Sequence, residues 1–425
     1  MTNATDTENI NDLAKGVIDG IFQFVDAEIV PMEEKYRDIL SNERRLFQEN
    51  GRLVDEIAEA RLTTRKKSAK AGFYAMLGPK EVGGGGVPFE LAGLVLEAIY
   101  RRYGPGRLLM GWSNGFLTMP LLASFVDGPS HMFLGANESI QRDVMPRLVA
   151  GETTVCFGLT EPDAGSDVWG IKSKARRDGD EWIVSGTKQW ITNAPYADHA
   201  AIFAVTDPDL VAKRQGGISC FLVDATSPGY SVDTVLGIMG HPASDCGIIT
   251  LDEVRVPNER VMGTIDQGFQ VGMFGISEGR MCIASIVTGM AEWALDKSLA
   301  YAKDRKTFGQ PLADHQAIQF MLAESAIDIF SMKQTVIRTL QLLDEFRTGG
   351  RMPVKEISIA KAFAVEAAER VMDRAIQIHG GLGLSSELPF QDGYRAIRTV
   401  RIPDGTAEIQ RRTIARQLLR GDTIF

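Results

Sequence analysis

The stretch RAIRTVRIPDGTAEIQRRTIAR, residues 395–416, ends in an amphipathic basic segment and carries a carboxylate at its turn. The Asp404-Gly405 pair interrupts the preceding pattern, and Thr406 can cap a helix that starts at Ala407. Two interpretations stay open from this stretch alone. Asp404 is either a turn or capping residue, as Asp often is at such positions, or a general base aimed into a pocket.

The composition of the whole chain narrows the classes of protein that are expected. A length of 425 residues with 44% hydrophobic content allows two or three domains, and the net charge of −9 argues against a non-specific nucleic-acid binder. The cysteines and histidines are scattered, without a C-x-x-C or H-x-x-x-H pair, so we expect reduced cysteines and no metal site. Neither a targeting signal nor an apolar run of about 20 residues is visible, so we expect a cytoplasmic protein without a membrane span.

The first 152 residues form the first of three predicted domains, and their sequence pattern is mostly helical. Helical spacing of apolar residues is found, for example, over residues 11–34, 39–61 and 91–100. The glycine run at 83–86 lacks the Lys-Ser/Thr ending of a phosphate-binding loop, so we expect a flexible connection there.

After residue 152 the pattern changes to short β-branched or aromatic runs, separated by turn signals such as Asp178-Gly179. Residues 153–263 are therefore predicted to form a compact β-barrel or sandwich domain. In residues 264–425, long amphipathic segments with short connections predict an antiparallel four-helix bundle. These segments are residues 269–305, 313–346, 354–379 and 408–419. The predicted fold class is thus multidomain α+β, with an N-terminal all-α domain, a middle β domain and a C-terminal helical bundle.

Four segments of the chain carry a family resemblance. They read FGLTEPDAGSDVWG at residues 157–170, KQWITNA at 188–194, DRKTFGQPLADHQAIQ at 304–319 and QIHGGLGLSSELPFQDGYRAIRTVRIPDGTAEIQR at 377–411. Together with the domain order, they make the chain similar to the flavin-dependent acyl-CoA dehydrogenases over almost its whole length. The resemblance implies the fold of that family, FAD as the cofactor and an acyl-CoA as the substrate.

The resemblance also implies which residues hold FAD. Main-chain and hydroxyl groups of Phe157, Leu159 and Thr160 would lie along one side of the flavin ring, and Trp190 and Thr192 would cover another. Ordinary packing is the alternative for these residues, because Trp and Thr are common in strands. The other implied FAD contacts are Arg305, Thr307, Phe308, Gln316, Gln377, Gly381, Thr406 and Glu408.

Some of these implied contacts bear on assembly and on the substrate. Arg305 can clamp a pyrophosphate through paired hydrogen bonds, although a surface salt bridge is its alternative. Gln377 and Gly381 would reach the FAD of a neighbouring subunit, which implies a homotetramer built as a dimer of dimers. The implied contacts to the CoA thioester are Ser166, Arg280, Gly405 and Arg416, with structural ion pairs as the alternative for the arginines.

The position of the catalytic base departs from the family pattern. Most members have a glutamate immediately before the Gly-Thr pair that is here at 405–406, whereas this sequence has Asp404. The other known base position, just before Arg280, is occupied by Gly279, and Glu278 is one residue away. Asp404 is therefore expected to take the α-proton while the flavin takes the β-hydride, with the pKa of Asp404 raised by desolvation.

Aspartate is one methylene shorter than glutamate, which draws its oxygens back by roughly 1.3–1.5 Å on an unchanged backbone. Relatives with an aspartate base include enzymes for cyclic or branched acyl-CoAs, so such a substrate is favoured over a straight chain. Electron-transfer flavoprotein is the expected electron acceptor. Two alternatives stay open: a family-related flavin oxidase or desulfinase-like enzyme, and an FAD-binding subunit of a heteromeric dehydrogenase.

Overall fold

The computed structural model describes residues 4–113 and 115–424, which form two compact units. The helical unit comprises residues 4–23, 88–107 and 279–424. The sheet unit comprises residues 24–87, 108–113 and 115–278. Each unit combines segments that are distant in the sequence, and the three consecutive domains of the sequence analysis remain a prediction.

The helices and strands are numbered in chain order. The helices are α1 (Ala4–Phe24), α2 (Val30–Lys35), α3 (Arg37–Leu40), α4 (Glu43–Leu46), α5 (Asp55–Lys70), α6 (Phe89–Tyr103), α7 (Glu138–Asp143), α8 (Met145–Val149), α9 (Pro208–Ala212), α10 (Gly268–Asp304), α11 (Gln316–Arg347), α12 (Val354–His379), α13 (Gly381–Leu384), α14 (Phe390–Thr399) and α15 (Ala407–Leu419). The strands are β1 (Val155–Gly158), β2 (Lys174–Asp178), β3 (Glu181–Thr192), β4 (His199–Val205), β5 (Ile218–Asp224), β6 (Tyr230–Val235), β7 (Cys246–Pro257), β8 (Val261–Met262), β9 (Lys306–Thr307) and β10 (Gln310–Pro311).

The amino-terminal helices agree only in part with the sequence pattern. Residues 11–34 are helical as predicted, because α1 continues through a π-helical turn at Val25–Ile29 into α2. The continuous helix predicted over residues 39–61 is wrong, since α3, α4 and a turn precede α5. Asn42 caps α4 by accepting a backbone hydrogen bond at 3.1 Å, and Gly51 has a φ of +77°. These turn-forming residues outweigh the apolar spacing.

The glycine run at 83–86 is a tight turn, so the flexible connection expected from the sequence is wrong. A Cβ on Gly84 would lie 2.3 Å from the backbone oxygen of Gly78, and one on Gly85 would lie 2.7 Å from the Cα of Met76. Both distances are far inside van der Waals contact. Glycine is required here because two backbone segments approach closely, not because the chain is loose.

Within the described residues, the middle of the chain forms an eight-stranded sheet in the order β6-β7-β3-β2-β4-β5-β8, with β1 parallel to β4. Strand β3 is one long strand that continues through β-bulges. Successive residues of β4 point into different hydrophobic clusters, with Phe203 in one and Ile202 in the other. Apolar side chains thus cover both faces of the sheet, and the β structure predicted for the middle of the chain is confirmed.

The predicted helical bundle is also confirmed. Helices α10, α11, α12 and α15 begin and end within a few residues of the predicted segments, whereas α13 and α14 were not predicted. Helix α6 joins these helices through polar contacts. Asp344 of α11 accepts hydrogen bonds from the first two backbone N–H groups of α6 at 2.7 and 2.9 Å. Lys333 of α11 bridges Glu97 of α6 at 2.6 Å and Glu292 of α10 at 2.7 Å.

The described part of the chain contains neither a membrane-spanning helix nor a cluster of metal ligands. None of its helices is both long and apolar enough to cross a membrane. Among the same residues, no group of three or more His, Cys, Asp or Glu side chains could hold a metal ion.

Candidate active site

Asp404 lies in the connection between α14 and α15, in a segment that we call the Asp404 turn (residues 401–405). Its φ is +57°, and Gly405 follows with a φ of +90°, so both residues are in left-handed conformations. Glycine adopts this conformation without strain, whereas an aspartate does so only where neighbouring groups hold it. The sharp break predicted from the Asp-Gly pair is therefore present directly before α15.

Among the described residues, three side chains donate hydrogen bonds to the main chain of the Asp404 turn. Arg280 Nε binds the carbonyl oxygen of Asp404 at 2.7 Å, and Gln410 Nε2 binds those of Asp404 and Gly405 at 3.0 and 2.9 Å. Lys361 Nζ binds the carbonyl of Gly405 at 2.9 Å and two further carbonyls of the turn at 3.1 and 3.3 Å. The carboxylate oxygens of Asp404 accept no hydrogen bond from the described residues. The backbone is fixed, and the acid group is left available.

Burial and the charges around the turn set the pKa of Asp404. Burial raises the pKa of Asp404 to about 6, against the opposing positive charges of Lys361 and Arg280. Burial also lowers the pKa of Lys361 to about 8 and lowers the pKa of Arg280, in both cases against the negative charge of Asp404. Near pH 7 the carboxylate is therefore mostly ionised and close to its pKa. A general base works best in that condition.

Thr406 caps α15, as the sequence predicts. Its hydroxyl oxygen accepts a hydrogen bond from the backbone N–H of Ile409 at 3.3 Å. Glu408 is exposed in the first turn of α15, where backbone and Thr406 hydrogen bonds lower its pKa. Because Thr406 supplies the cap, Asp404 is a turn residue and not the cap of α15, and its role as a base stays a prediction.

In the sheet unit, Phe157, Leu159 and Thr160 lie at or just after the end of β1. The ring of Phe157 packs against Phe203 with a centroid distance of 4.9 Å, and the side chain of Leu159 is also buried in the core. The carbonyl oxygen of Thr160 accepts a hydrogen bond from the backbone N–H of Gln189 at 2.9 Å. This bond brings the segment after β1 beside β3, which carries the second predicted flavin segment.

A buried ion pair that the sequence analysis missed fixes this junction. Lys188 of β3 is fully buried, and its Nζ donates to Glu161 Oε1 at 2.7 Å and to the carbonyl oxygen of Leu159 at 3.2 Å. Glu161 also accepts hydrogen bonds from the backbone N–H groups of Lys172 and Ser173, at 2.6 and 3.0 Å. The signal available in the sequence was a lysine within the strand-forming run TKQWIT.

Trp190 and Thr192 lie near the end of β3, beside a β-bulge. Trp190 has a φ of +61° and is 53% exposed, which is unusual for a large aromatic residue in a strand. The hydroxyl of Thr192 lies 3.5 Å from Cys246 Sγ. An exposed ring held on a strained backbone is typical of a ligand-binding position, so plain packing does not account for Trp190.

A second exposed group lies between α10 and α11 of the helical unit. Arg305, Thr307 and Phe308 lie at the hairpin formed by β9 and β10, and Arg305 and Gln316 are exposed. Phe308 is at the tip, with a φ of +50° and 98% exposure. The Thr307 hydroxyl lies 3.3 Å from Nε2 of His315.

The remaining predicted contacts are at separate places. Gln377 and Gly381 are exposed where α12 ends and α13 begins, Arg416 is exposed on α15, and Ser166 is exposed in the sheet unit. Arg280 differs from them because it is only 8% exposed and binds the Asp404 turn. Its placement supports a structural role at the turn, and its contact to CoA stays a prediction.

The side chains of each unit suit part of a flavin dinucleotide. The sheet unit offers the exposed Trp190 ring and the Thr192 hydroxyl, which suit a flat ring with polar edges. The helical unit offers the exposed guanidinium of Arg305 and the exposed ring of Phe308, which suit a diphosphate and a second flat ring. The residues present therefore fit FAD.

Comparison with known proteins agrees with these features. Residues 156–254 match the family described as Acyl-CoA dehydrogenase, middle domain, and residues 266–419 match Acyl-CoA dehydrogenase, C-terminal domain. A probable acyl-CoA dehydrogenase of Bacillus subtilis is 38% identical over 367 residues, which are 86% of this chain and 92% of that protein. The chain belongs to the acyl-CoA dehydrogenase family. The resemblance and the multidomain α+β fold predicted from the sequence are thereby confirmed.

Two other acyl-CoA dehydrogenase relatives add detail. The caffeyl-CoA reductase-Etf complex subunit CarC of Acetobacterium woodii is 35% identical over 370 residues, which are 86% of this chain and 92% of that protein. A solved glutaryl-CoA dehydrogenase from Mycobacterium smegmatis in complex with FADH2 is 26% identical with a TM-score of 0.76, and the match covers 99% of this chain and 98% of that chain. Acyl-CoA dehydrogenases are oxidoreductases that use FAD, so the predicted enzyme class and cofactor are confirmed.

Proposed function

We propose that this acyl-CoA dehydrogenase uses Asp404 to remove the α-proton of an acyl-CoA thioester and so produces an enoyl-CoA. The observation that carries the proposal is the Asp404 carboxylate, which accepts no hydrogen bond from the described residues and has a pKa of about 6. A carboxylate oxygen would take the proton as the α C–H bond breaks. Bound FAD supplies the acceptor for the hydride that leaves the β-carbon.

Main-chain groups near the base support the same chemistry. Among the described residues, the backbone N–H of Asp404 has no hydrogen-bond acceptor. It would donate to the thioester oxygen, where negative charge develops as the α-proton leaves. Ser166, Arg280, Gly405 and Arg416 are proposed as the other contacts to the substrate.

The proposed FAD contacts are the residues implied by the resemblance. In the sheet unit they are Phe157, Leu159, Thr160, Trp190 and Thr192. In the helical unit they are Arg305, Thr307, Phe308, Gln316, Gln377, Gly381, Thr406 and Glu408. Exposure of the Trp190 and Phe308 rings supports this assignment, because both aromatic faces are available to contact a flat group.

We propose a branched or ring-bearing acyl group as the substrate. The short reach of Asp404 supports this choice, because a fixed backbone leaves the carboxylate roughly 1.3–1.5 Å short of a glutamate position. The name of the caffeyl-CoA reductase relative denotes an acyl group with a ring, which also favours such a substrate. Anaerobic bleaching of the flavin by straight, branched and cyclic acyl-CoAs would measure the preference, and fastest bleaching by a straight chain would contradict the proposal.

The proposed partners are electron-transfer flavoprotein as the electron acceptor and further copies of the chain in a homotetramer. The relative described as a subunit of an Etf complex supports the first. Phe320, Ile327 and Phe330 support the second, because all are more than half exposed and their spacing places them on one side of α11. Light scattering on the FAD-loaded protein would measure the assembly, and a monomer would contradict it. The cytoplasmic location stays a prediction from the sequence.

The decisive variant for the base is Asp404→Asn, which keeps the size of the side chain and removes the proton acceptor. FAD should stay bound, while the rate of anaerobic flavin reduction by the best acyl-CoA should fall by about 100-fold or more. Asp373→Asn is the matched control, because Asp373 is an exposed carboxylate on α12 to which the resemblance assigns no contact. A wild-type reduction rate in Asp404→Asn would exclude Asp404 as the base.

The same preparation separates the two alternatives. Oxygen consumption without an added electron acceptor would indicate an oxidase. Poor FAD binding by the purified chain, with no turnover, would indicate a subunit that needs a different partner chain.

A further inference from the structure

Lys361 is a buried lysine that the resemblance assigns to no role. It lies on α12, is 1% exposed and donates from Nζ to the carbonyl oxygens of Arg401, Pro403 and Gly405 at 3.3, 3.1 and 2.9 Å. These carbonyls lie on both sides of Asp404 in the sequence. One ammonium group therefore ties together the segment that carries the proposed base.

This arrangement is unusual for a buried lysine, and a second lysine of the same helix shows the contrast. Lys355 is also fully buried, but its Nζ lies 3.1 Å from Asp422 Oδ1 and 3.4 Å from Glu356 Oε1. Lys361 forms no ion pair within 4.0 Å among the described residues, so its hydrogen bonds are satisfied by carbonyls while its charge is not neutralised by direct contact. A buried charge without a counter-charge in contact lowers the stability of the fold.

We propose that Lys361 is the positioning residue of the base: it holds the Asp404 turn in its left-handed conformation, and its positive charge keeps the Asp404 carboxylate ionised. This inference rests on the proposed function, in which Asp404 takes the α-proton. The left-handed φ values of Asp404 and Gly405 need such support, because an aspartate adopts that conformation only when its surroundings impose it.

The electrostatic effect of Lys361 on Asp404 follows from the charged groups that face the Asp404 turn. Arg280 from α10 and Lys361 from α12 both lower the pKa of Asp404 against the effect of burial. Lys361 is itself influenced by Glu408 from α15 and by Arg401 of the turn, in opposite directions. The lysine is charged below its pKa of about 8 and the aspartate is ionised above its pKa of about 6, so both charges coexist between these values.

The direction in which the pKa of Asp404 changes without the Lys361 charge is therefore defined. Removing the Lys361 charge removes an interaction that favours the ionised carboxylate, so the pKa of Asp404 must rise. At any pH near 6 a smaller fraction of the enzyme then carries the competent base. The acid limb of the pH profile should move to higher pH, by about one unit for a charge in close proximity.

The test uses the FAD-loaded enzyme and three variants. Lys361→Met removes the donors and the charge, Lys361→Gln keeps amide donors without the charge, and Lys355→Met is the matched control on the same helix. The rate of anaerobic flavin reduction by acyl-CoA is measured against pH for each variant. We expect the acid limb to move up by about one pH unit in both Lys361 variants. We also expect the plateau rate to fall at least tenfold in Lys361→Met, with partial recovery in Lys361→Gln.

Lys355→Met should lower the melting temperature but leave the acid limb in place, because its carboxylate partners, Glu356 and Asp422, lie outside the Asp404 turn. An acid limb at the wild-type pH in Lys361→Gln would overturn the proposal, and this variant decides the test if Lys361→Met does not fold. A wild-type rate in Asp404→Asn would instead overturn the proposed function. Loss of activity in Asp404→Asn with an unmoved acid limb in Lys361→Gln would overturn only the role of Lys361.

A second readout does not depend on turnover. If the charge of Lys361 stabilises ionised Asp404, then Asp404→Asn should raise the melting temperature at pH 7 more in the Lys361→Gln background than in the wild type. Equal increases in the two backgrounds would show that the two side chains are not coupled, and the proposal would fail.

Discussion

Two buried lysines bind the two segments that carry the proposed chemistry, and only one of the two is paired with a carboxylate among the described residues. Lys188, in the sheet unit, pairs with Glu161 at 2.7 Å. Lys361, in the helical unit, binds carbonyl oxygens of the Asp404 turn. Burial lowers the pKa of each to about 8, against a raising effect of Glu161 in one case and of Asp404 in the other.

The difference shows that a buried lysine can either join two segments of the fold or change the pKa of a neighbouring acid. Lys188 and Glu161 form a closed pair whose opposite charges cancel at short range, so their effect is to join the end of β1 to β3. The charge of Lys361 has no such direct partner among the described residues, and it acts on Asp404. A charge left uncancelled in a buried place is suited to tuning a neighbouring acid.

The largest expected effect concerns the closed pair. Lys188→Met should lower the free energy of unfolding by about 3–5 kcal/mol, because it leaves a buried carboxylate without its counter-charge. The double variant Lys188→Met with Glu161→Gln should recover much of that loss, since no unpaired charge remains. Denaturant unfolding followed by circular dichroism would measure both values. Equal destabilisation in the single and double variants would show that the pair acts through packing and not through charge.

The two carboxylates that face these lysines should show opposite pH dependences of stability. Burial would raise the pKa of Glu161, but Lys188 and the surrounding hydrogen bonds outweigh it, so the pKa is lowered. Its stabilising contribution is present above the unfolded-state pKa and is lost as the pH falls through the folded value. For Asp404 burial prevails, so the folded pKa of about 6 is above the unfolded value of 3.8, and stability is lost as the pH rises between these values.

The measurement compares variants at two pH values. Asp404→Asn should match the wild type near pH 4 and exceed its free energy of unfolding by about 2–3 kcal/mol at pH 7, an upper estimate from the size of the pKa shift. Glu161→Gln should be destabilised at pH 7 and approach the wild type as the pH falls. The same sign of pH dependence in both variants would remove the contrast drawn between the two sites.

Helices and strands with a long, regular pattern of apolar residues are predicted well from the sequence. Elements whose ends are set by a single turn-forming residue are predicted poorly. Helix α12 begins and ends where its apolar spacing indicates, because burial of one face sets its period. The helix predicted over residues 39–61 fails because Asn42 and Gly51 form local turns that apolar spacing does not reveal. Strand β6 lacks a buried face, since none of its residues is fully buried, so apolar alternation does not define its ends.

Some residues of the candidate site are likewise predicted from the sequence, and others are missed. Asp404 and Thr406 are found from the sequence because a turn, a cap and a family motif coincide there. Lys188 and Lys361 were missed because lysine is normally a surface residue, and its burial depends on acceptors supplied by distant parts of the chain. The flanking alanines of Lys361, in IAKAFA, are the local sign that it lies on a buried helix face.

The smallest expected effect tests how firmly the Asp404 turn is held. Asp404→Glu adds one methylene, and a backbone fixed by Lys361, Arg280 and Gln410 cannot retreat to absorb it. The carboxylate should therefore reach about 1.3–1.5 Å farther, which should disfavour bulky acyl groups relative to straight chains by roughly tenfold in the rate of flavin reduction. In the Lys361→Gln background the turn is held less firmly, so the same change should shift the preference less. An equal shift of preference in the wild-type and Lys361→Gln backgrounds would mean that Lys361 does not limit the movement of the turn. A shift towards bulkier acyl groups would contradict the explanation of substrate choice by the length of the side chain at position 404.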